Sequence, residues 1–329
     1  MSDRNSSELP VEEKAHRYDN TDVRFSSTPD SLRNHVSTNR IDMGWTLLTA
    51  LVPVIWATTY IVTTDFLPQG HALFAALMRA LPAGLVAVAI SRQLPHGSWW
   101  WKSFVLGMLN IGLFFPLLFI AAQHLPGGVA ATLGSIQPVV AAFLAVLILK
   151  ERLSHWRVLW GLVGVCGVAM VVLGPEAALD TVGVLAGASG AVCMAMGVVL
   201  TKKWGRPEGV SGLGLTGWQL TAGGLFLLLP ALLIDGIPAE IDGRAVGGYL
   251  WMGLFGGLIS YTLWFSGIAR LQVTATALLA LLIPLVAAII GATVAGETFS
   301  AIQLTGFIFA LSATVAGQFD PLRRPHSEP

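Results

Sequence analysis

One arginine stands out among the residues of this sequence that could bind a charged group. Arg79 lies eight residues into the apolar run His71–Ser91, roughly 12 Å deep at a helical rise of about 1.5 Å per residue. Its guanidinium could hold a carboxylate through two parallel hydrogen bonds. It could instead bind backbone carbonyls and lock its helix against a neighbour, which is the interpretation we favour.

The residue types that catalysis needs are not grouped in this sequence. Ser189 lies in a Gly-Ala-Ser-Gly segment, but a nucleophilic serine needs a base within hydrogen-bond reach. Every histidine, aspartate and glutamate lies in a tail, in a loop or near the end of an apolar run. Cys166 and Cys193 lack the spacing of metal ligands. We therefore expect no catalytic residue, no metal site and no cofactor.

Polar and aromatic residues near the middle of the apolar runs could line a binding site for a small molecule. Pockets for small ligands are mainly apolar with a few polar groups, and this set has that character. Each residue could equally serve packing or hydrogen bonding between helices. The candidate substrate-binding residues are Trp56, Tyr60, Arg79, Asn110, Phe115, Gln137, Trp218, Gln219 and Tyr261. Pro138 and Pro284 predict paired helix kinks that could act as gates.

The elements that must position these residues are long apolar helices. Hydrophobic residues make up 54% of the 329-residue chain and charged residues 12%, about half the charged share of a soluble domain. A helix that spans a bilayer needs about 20 mostly apolar residues. Ten runs fit: Gly44–Phe66, His71–Ser91, Trp101–Ala122, Gly127–Leu149, Trp156–Leu173, Thr181–Thr201, Gly212–Ile234, Val246–Gly267, Thr274–Ala295 and Ser300–Gln318. The sequence therefore predicts an all-α membrane protein of ten transmembrane helices.

The loops between these runs predict the orientation. With the N-terminus inside, thirteen Lys and Arg residues flank the runs on the inner side, and Arg244 alone lies in an outer loop. Positive residues concentrate in cytoplasmic loops, so both termini are predicted to be cytoplasmic. Residues 1–43 lack an apolar core and predict a disordered cytoplasmic tail, and residues 319–329 predict a second, short tail.

An internal repeat divides the apolar region. Residues 101–156 align without gaps on residues 247–302, at an offset of 146. The matched pairs include Gly107 with Gly253, Pro138 with Pro284 and Glu151 with Glu297. The repeat unit is five helices, an odd number, so the halves 44–173 and 181–318 are predicted to be inverted repeats of the kind found in secondary transporters.

These features resemble the EamA family of the drug/metabolite transporter superfamily. The resemblance rests on five plus five helices and on the segments Lys150-Glu151-Arg152 and Gly296-Glu297-Thr298 after the fourth and ninth runs. Trp56 and Arg79 in the first two runs are further matches. The resemblance implies a transporter of the bacterial inner membrane, often an exporter of amino acids or related metabolites, and it leaves the substrate open.

The distribution of charge narrows the expected substrate. A proton-driven exporter of cations needs a membrane-embedded acid, and carriers of phosphate-bearing substrates need several buried cations. The runs offer neither, so we expect a neutral or zwitterionic metabolite, with amino acids that have aromatic or apolar side chains as the leading class. Another metabolite or a lipophilic drug is the alternative, and an intramembrane enzyme or a channel fits less well. The expected partners are a small molecule and the lipid bilayer, not nucleic acid, and the oligomeric state stays open.

Overall fold

The computed structural model of the chain describes residues 30–124, 133–152, 154–172, 180–295 and 300–319, apart from the side chains of residues 30–42, 60, 64, 122, 123, 172, 291, 292, 294 and 295. Every regular element in these ranges is helical, which confirms an all-α protein for the part described. The chain divides into two units after Arg40. Residues 30–40 of the first unit are helical, and every contact given below lies within the second.

Thirteen α-helices account for most of the described chain. They are α1 (Asp30–Asp65), α2 (Ala72–Ser91), α3 (Trp99–Gly107), α4 (Phe114–His124), α5 (Gln137–Leu144), α6 (His155–Val172), α7 (Thr181–Trp204), α8 (Gly212–Pro230), α9 (Gly243–Trp251), α10 (Ser260–Arg270), α11 (Val273–Leu279), α12 (Leu282–Ala295) and α13 (Ala301–Ala316). Helix α1 begins at Asp30, inside the segment for which the sequence predicts a disordered tail.

Seven helical stretches among the described residues are long and apolar enough to cross a membrane. They are Met43–Thr63, Ala72–Ser91, Trp99–Ala121, Thr181–Trp204, Gly212–Asp235, Gly243–Arg270 and Val273–Ile290. Shorter apolar helices cover Gln137–Leu149, His155–Val171 and Ala301–Ala316. Large apolar side chains such as Leu229, Leu233 and Ile308 are exposed on the outside, as expected where lipid is the solvent. The chain is a multi-pass membrane protein.

Four π-helical segments join or extend the α-helices. Met108–Gly112 lies between α3 and α4, and Met252–Ile259 joins α9 to α10. Ala145–Leu149 extends α5, and Ala231–Asp235 extends α8. A π-helix bonds residue i to i+5 and is found mostly as a local bulge inside an α-helix, often at a functional site.

The helices that contain Pro138 and Pro284 are both interrupted just before the proline. A turn at residues 135–136 precedes α5, and a turn at residues 280–281 separates α11 from α12. The Val139 amide bonds the Ile136 carbonyl, an i to i−3 contact at 3.0 Å. Proline has no amide hydrogen and its ring crowds the carbonyl four residues earlier, which accounts for both interruptions.

Helices α2 and α8 pack backbone to backbone through glycines. A Cβ at Gly84 would lie 2.4 Å from the Thr221 amide, and one at Gly224 would lie 2.7 Å from the Leu81 side chain. Small residues allow such approach between membrane helices, where van der Waals contact replaces the hydrophobic effect as the driving force. The numbers in each facing pair add to 305, which fixes the antiparallel register of the two helices.

Eight of the contacts join the ends of helices in pairs. The predicted topology assigns three of these pairs to the outer side, the first group, and five to the inner side, the second group. In the first group, His124 pairs with Asp180 at 3.2 Å, Arg244 lies over the Phe66 ring, and Asp235 accepts the Phe74 amide at 3.2 Å. In the second group, the pairs are Gln93 with Ser211, Trp101 with Trp204, Lys202 with Leu271, Arg270 with Trp45 and Trp156 with Ala316.

Candidate functional site

A buried aromatic cluster surrounds Arg79. The guanidinium carbon lies 5.8 Å from the ring centre of Trp56, 5.4 Å from that of Phe115 and 5.9 Å from that of Tyr261. All four side chains are less than 8% exposed. Helices α1, α2, α4 and α10 each contribute one of them. A cation over an aromatic face gains about 0.5–2 kcal/mol, more where water is excluded.

The carbonyl oxygen of Gly256 holds this cluster together. It accepts a hydrogen bond from Trp56 Nε1 at 2.9 Å and two from Arg79, from Nε at 3.2 Å and Nη2 at 3.0 Å. Arg79 Nη1 also donates to Thr59 Oγ1 at 3.4 Å. Gly256 lies in the π segment Met252–Ile259. Arg79 thus binds a backbone carbonyl of another helix, as in the second of the two roles considered for it.

A second buried cluster is built from amides. Asn110 Nδ2 donates to Gln219 Oε1 at 3.0 Å and approaches Thr201 Oγ1 at 3.5 Å. All three residues are at most 3% exposed. Asn110 Oδ1 and Gln219 Nε2 have no hydrogen-bond partner among the described residues. A buried polar atom without a partner costs about 1–3 kcal/mol, so these two atoms are a cost to the folded state that the described residues do not offset.

The two clusters lie at different depths of the bundle. The register of α2 against α8 places Gln219 near Val86, seven residues from Arg79. Seven residues of helix correspond to roughly 10 Å. The structure thus brings together Trp56, Arg79, Phe115 and Tyr261 in one cluster and Asn110 with Gln219 in another.

Three candidates lie apart from these clusters or beyond the described side chains. Trp218 donates from Nε1 to the Gln93 carbonyl at 2.8 Å and packs against His96 and Trp99. Gln137 is buried, and its Nε2 lacks a partner in the described part of the chain. The side chain of Tyr60 is outside the described residues.

Two buried residues of α10 were not among the candidates from the sequence. Trp264 packs on Trp56 with ring centres 5.3 Å apart, and its Nε1 finds no acceptor among the described residues. Ser260 is fully buried, and its Oγ also has no hydrogen-bond partner among the described residues. Helical spacing could have found both, because Trp264 lies three positions after Tyr261 and four after Ser260, spacings that place residues on one side of a helix.

The buried interior of the bundle combines aromatic rings with polar atoms. The polar atoms that have no hydrogen-bond partner among the described residues include the donors Trp264 Nε1 and Gln219 Nε2, the Ser260 hydroxyl and the acceptor Asn110 Oδ1. Within the described residues, no group of three or more His, Cys, Asp or Glu is placed to hold a metal ion. A long-helical, multi-pass membrane protein with such an interior belongs to the class of membrane transporters.

Comparison with known proteins identifies the family. Residues 43–173 and residues 181–316 each match the EamA-like transporter family, so the chain belongs to that family, as its resemblance predicted. It is 42% identical over 266 residues to Protein PecM of Dickeya dadantii, covering 81% of this chain and 89% of that protein. The family and the names of its relatives indicate a transporter rather than an enzyme.

Two further relatives and one solved structure extend the comparison. The probable terminal-alkyne amino-acid exporter of Streptantibioticus cattleyicolor is 25% identical over 275 residues, 80% of this chain and 88% of that one. The uncharacterized inner membrane transporter YedA of Escherichia coli is 23% identical over 279 residues, 81% of this chain and 89% of that one. A crystal structure with 17% identity superposes with a TM-score of 0.71, covering 83% of this chain and 96% of that chain, which establishes the shared fold.

Proposed function

We propose that this transporter exports, or facilitates the passage of, a small neutral or zwitterionic metabolite by alternating access. Amino acids with aromatic or apolar side chains are the leading substrates. The observation that carries this proposal is the buried cluster of Trp56, Phe115 and Tyr261 around Arg79. Its rings suit an apolar or aromatic side chain, since aromatic pairs gain about 0.5–1.5 kcal/mol beyond area burial.

Two buried polar groups of α10 without a partner among the described residues suit the other end of such a substrate. Trp264 Nε1 is a donor and the Ser260 hydroxyl is both donor and acceptor, so they can bond to a carboxylate or carbonyl oxygen. Arg79 already donates to Gly256, and we assign it the role of fixing the cluster. The name of the Streptantibioticus relative, an amino-acid exporter, supports the same substrate class.

We further propose that the chain crosses the bacterial inner membrane ten times, as two inverted repeats over residues 44–173 and 181–318. Two features support this. The family matches the chain twice, over residues 43–173 and 181–316. In addition, each contact between helix ends joins two ends that the predicted topology puts on the same side, His124 with Asp180 outside and Gln93 with Ser211 inside being examples. Both termini are then cytoplasmic, and the interruptions at Pro138 and Pro284 are the proposed gates.

Counterflow in proteoliposomes tests the function. Vesicles loaded with an unlabelled neutral amino acid should accumulate the labelled one transiently and saturably, with and without a pH gradient. Empty vesicles and vesicles with Trp56→Ala provide the baselines. Flux that follows the gradient would replace facilitation with proton coupling.

The alternative substrates give a different result in the same assay. The apolar cluster also suits a lipophilic compound without a carboxylate. Flux of such a compound, with no counterflow for any amino acid, would contradict the amino-acid assignment and support the alternative exporter.

A further inference from the structure

The π segments Met108–Gly112 and Met252–Ile259 occupy equivalent places in the proposed repeat. Shifting Met108–Gly112 by the repeat offset of 146 gives residues 254–258, which lie inside Met252–Ile259. Asn110 and Gly256 are therefore equivalent positions. Each is the centre of one of the two buried hydrogen-bonded clusters.

Each of these two positions binds residues of the opposite half of the chain. Gly256, in the second half, binds Trp56 of α1 and Arg79 of α2. Asn110, in the first half, binds Thr201 of α7 and Gln219 of α8. In both cases the third helix of one proposed repeat is held at its π segment by the first and second helices of the other. We name these contacts the Gly256 joint and the Asn110 joint.

The helices approach each other closely at each joint. A Cβ at Gly197 on α7 would overlap Asn110 Oδ1, so the amide lies directly against the α7 backbone. At the other joint, a Cβ at Gly257 would lie 2.5 Å from the Arg79 carbonyl oxygen. Both third helices thus touch a neighbouring backbone at the π segment, which lets hydrogen bonds form directly between the two halves.

Each of these two π segments is followed by one residue of the aromatic cluster. Phe115 follows the first segment and Tyr261 follows the second. Conversion between π and α bonding shifts the helical register by one residue, which turns the following helix by about 100°. The state of each segment therefore sets where the Phe115 and Tyr261 rings point.

We infer that Asn110 and Gly256 are paired positioning residues of the transport cycle, each holding a π segment whose conversion moves one wall of the aromatic cluster. This inference rests on the proposed function and the proposed repeats. The joints lie roughly 10 Å apart in depth along α2 and α8, so releasing one and then the other would move the two walls in turn.

Hydrogen exchange measured by mass spectrometry on the full chain in lipid nanodiscs tests the joints without a transport assay. Trp56→Phe keeps an aromatic ring but removes the N–H that donates to Gly256. It should raise the rate of amide exchange in residues 252–259 about fivefold, the factor for one lost hydrogen bond. Gln219→Leu should do the same in residues 108–112. Each variant should leave the other segment unchanged.

The matched control is Trp156→Phe, which removes a tryptophan N–H that bonds the Ala316 carbonyl at 2.9 Å between α6 and α13, outside both joints. It should change neither segment. Arg79→Lys and Thr201→Val replace the first two variants if either fails to fold. Exchange that rises in both segments together, or in neither, would overturn the joints.

Counterflow with the same variants then tests the positioning role. Trp56→Phe and Gln219→Leu should slow the flux, and Trp156→Phe should leave it at the wild-type rate. Local changes in exchange with unchanged flux would overturn the positioning role. A wild-type protein that carries no amino acid, while its joints respond locally, would contradict the proposed function and leave the joints standing.

Discussion

Gly257 lies against the backbone of Arg79. A Cβ added at Gly257 would lie 2.5 Å from the Arg79 carbonyl oxygen and 3.1 Å from the Ala83 side chain. The Arg79 side chain meanwhile donates to the carbonyl of the preceding residue, Gly256. The backbone and side chain of one arginine thus fix the distance between α2 and the π segment.

Gly257→Ala should destabilise the protein, because backbone atoms rather than a flexible side chain block the new methyl group. We expect a loss of about 1–3 kcal/mol, as for other overpacked sites, seen as a lower Tm in detergent. Gly253→Ala in the same segment is the control, since its Cβ would meet Met78 O at an ordinary 3.6 Å. Equal Tm values for the two variants would refute the close contact.

Arg79→Gln should chiefly harm folding, because it removes donors to Gly256 and the cation from three rings. Thermal unfolding and the yield of monodisperse protein measure this. Arg244→Gln is the control, because Arg244 also lies over a ring, that of Phe66, but is exposed. A stable Arg79→Gln protein that has lost only transport would favour the carboxylate-binding role instead.

Tyr261→Ala should weaken transport more than stability. The ring packs on Trp56 at 5.1 Å and on Phe265 at 5.5 Å, so its loss opens the proposed site. We expect counterflow to fall at least about tenfold, which corresponds to about 1.4 kcal/mol of lost interaction. Phe104→Ala, which removes a ring on the exposed surface, should leave flux unchanged. Normal flux in the Tyr261 variant would remove this residue from the site.

Labelling from outside the cell tests the orientation. In a background with Cys166→Ala and Cys193→Ala, a membrane-impermeant maleimide should modify Ile237→Cys, which follows Asp235, and not Lys203→Cys. Both positions are exposed, so access depends on sidedness rather than burial. Modification of Lys203→Cys alone would reverse the topology.

The local elements could be predicted because lipid demands long apolar runs with satisfied backbones. The predicted run Thr181–Thr201 corresponds to α7 (Thr181–Trp204), and Ser300–Gln318 to α13 (Ala301–Ala316). The π segments could not be read from hydropathy, because inserting one residue into a turn does not change the apolar content of a run.

The side-chain clusters were harder to predict, because they depend on which helices meet and in what register. Asn110 and Gln219 are 109 positions apart, and no local pattern links them. Trp218 precedes Gln219 directly, yet the helical turn of about 100° per residue sends it to the loop around Gln93. The sequence shows which residues lie at a similar depth in the membrane. The direction in which each side chain points around its helix decides which of those residues meet.

The glycine contact between α2 and α8 has an evolutionary consequence. A Cβ at Gly84 or Gly224 would meet backbone atoms of the facing helix within 3 Å, so we expect relatives that keep this helix contact to keep glycine at both positions. The rings of Trp56, Phe115 and Tyr261 carry no such restriction from this contact. Under the proposed function, relatives could therefore come to carry different substrates by exchanging these rings while the α2–α8 pair stays unaltered.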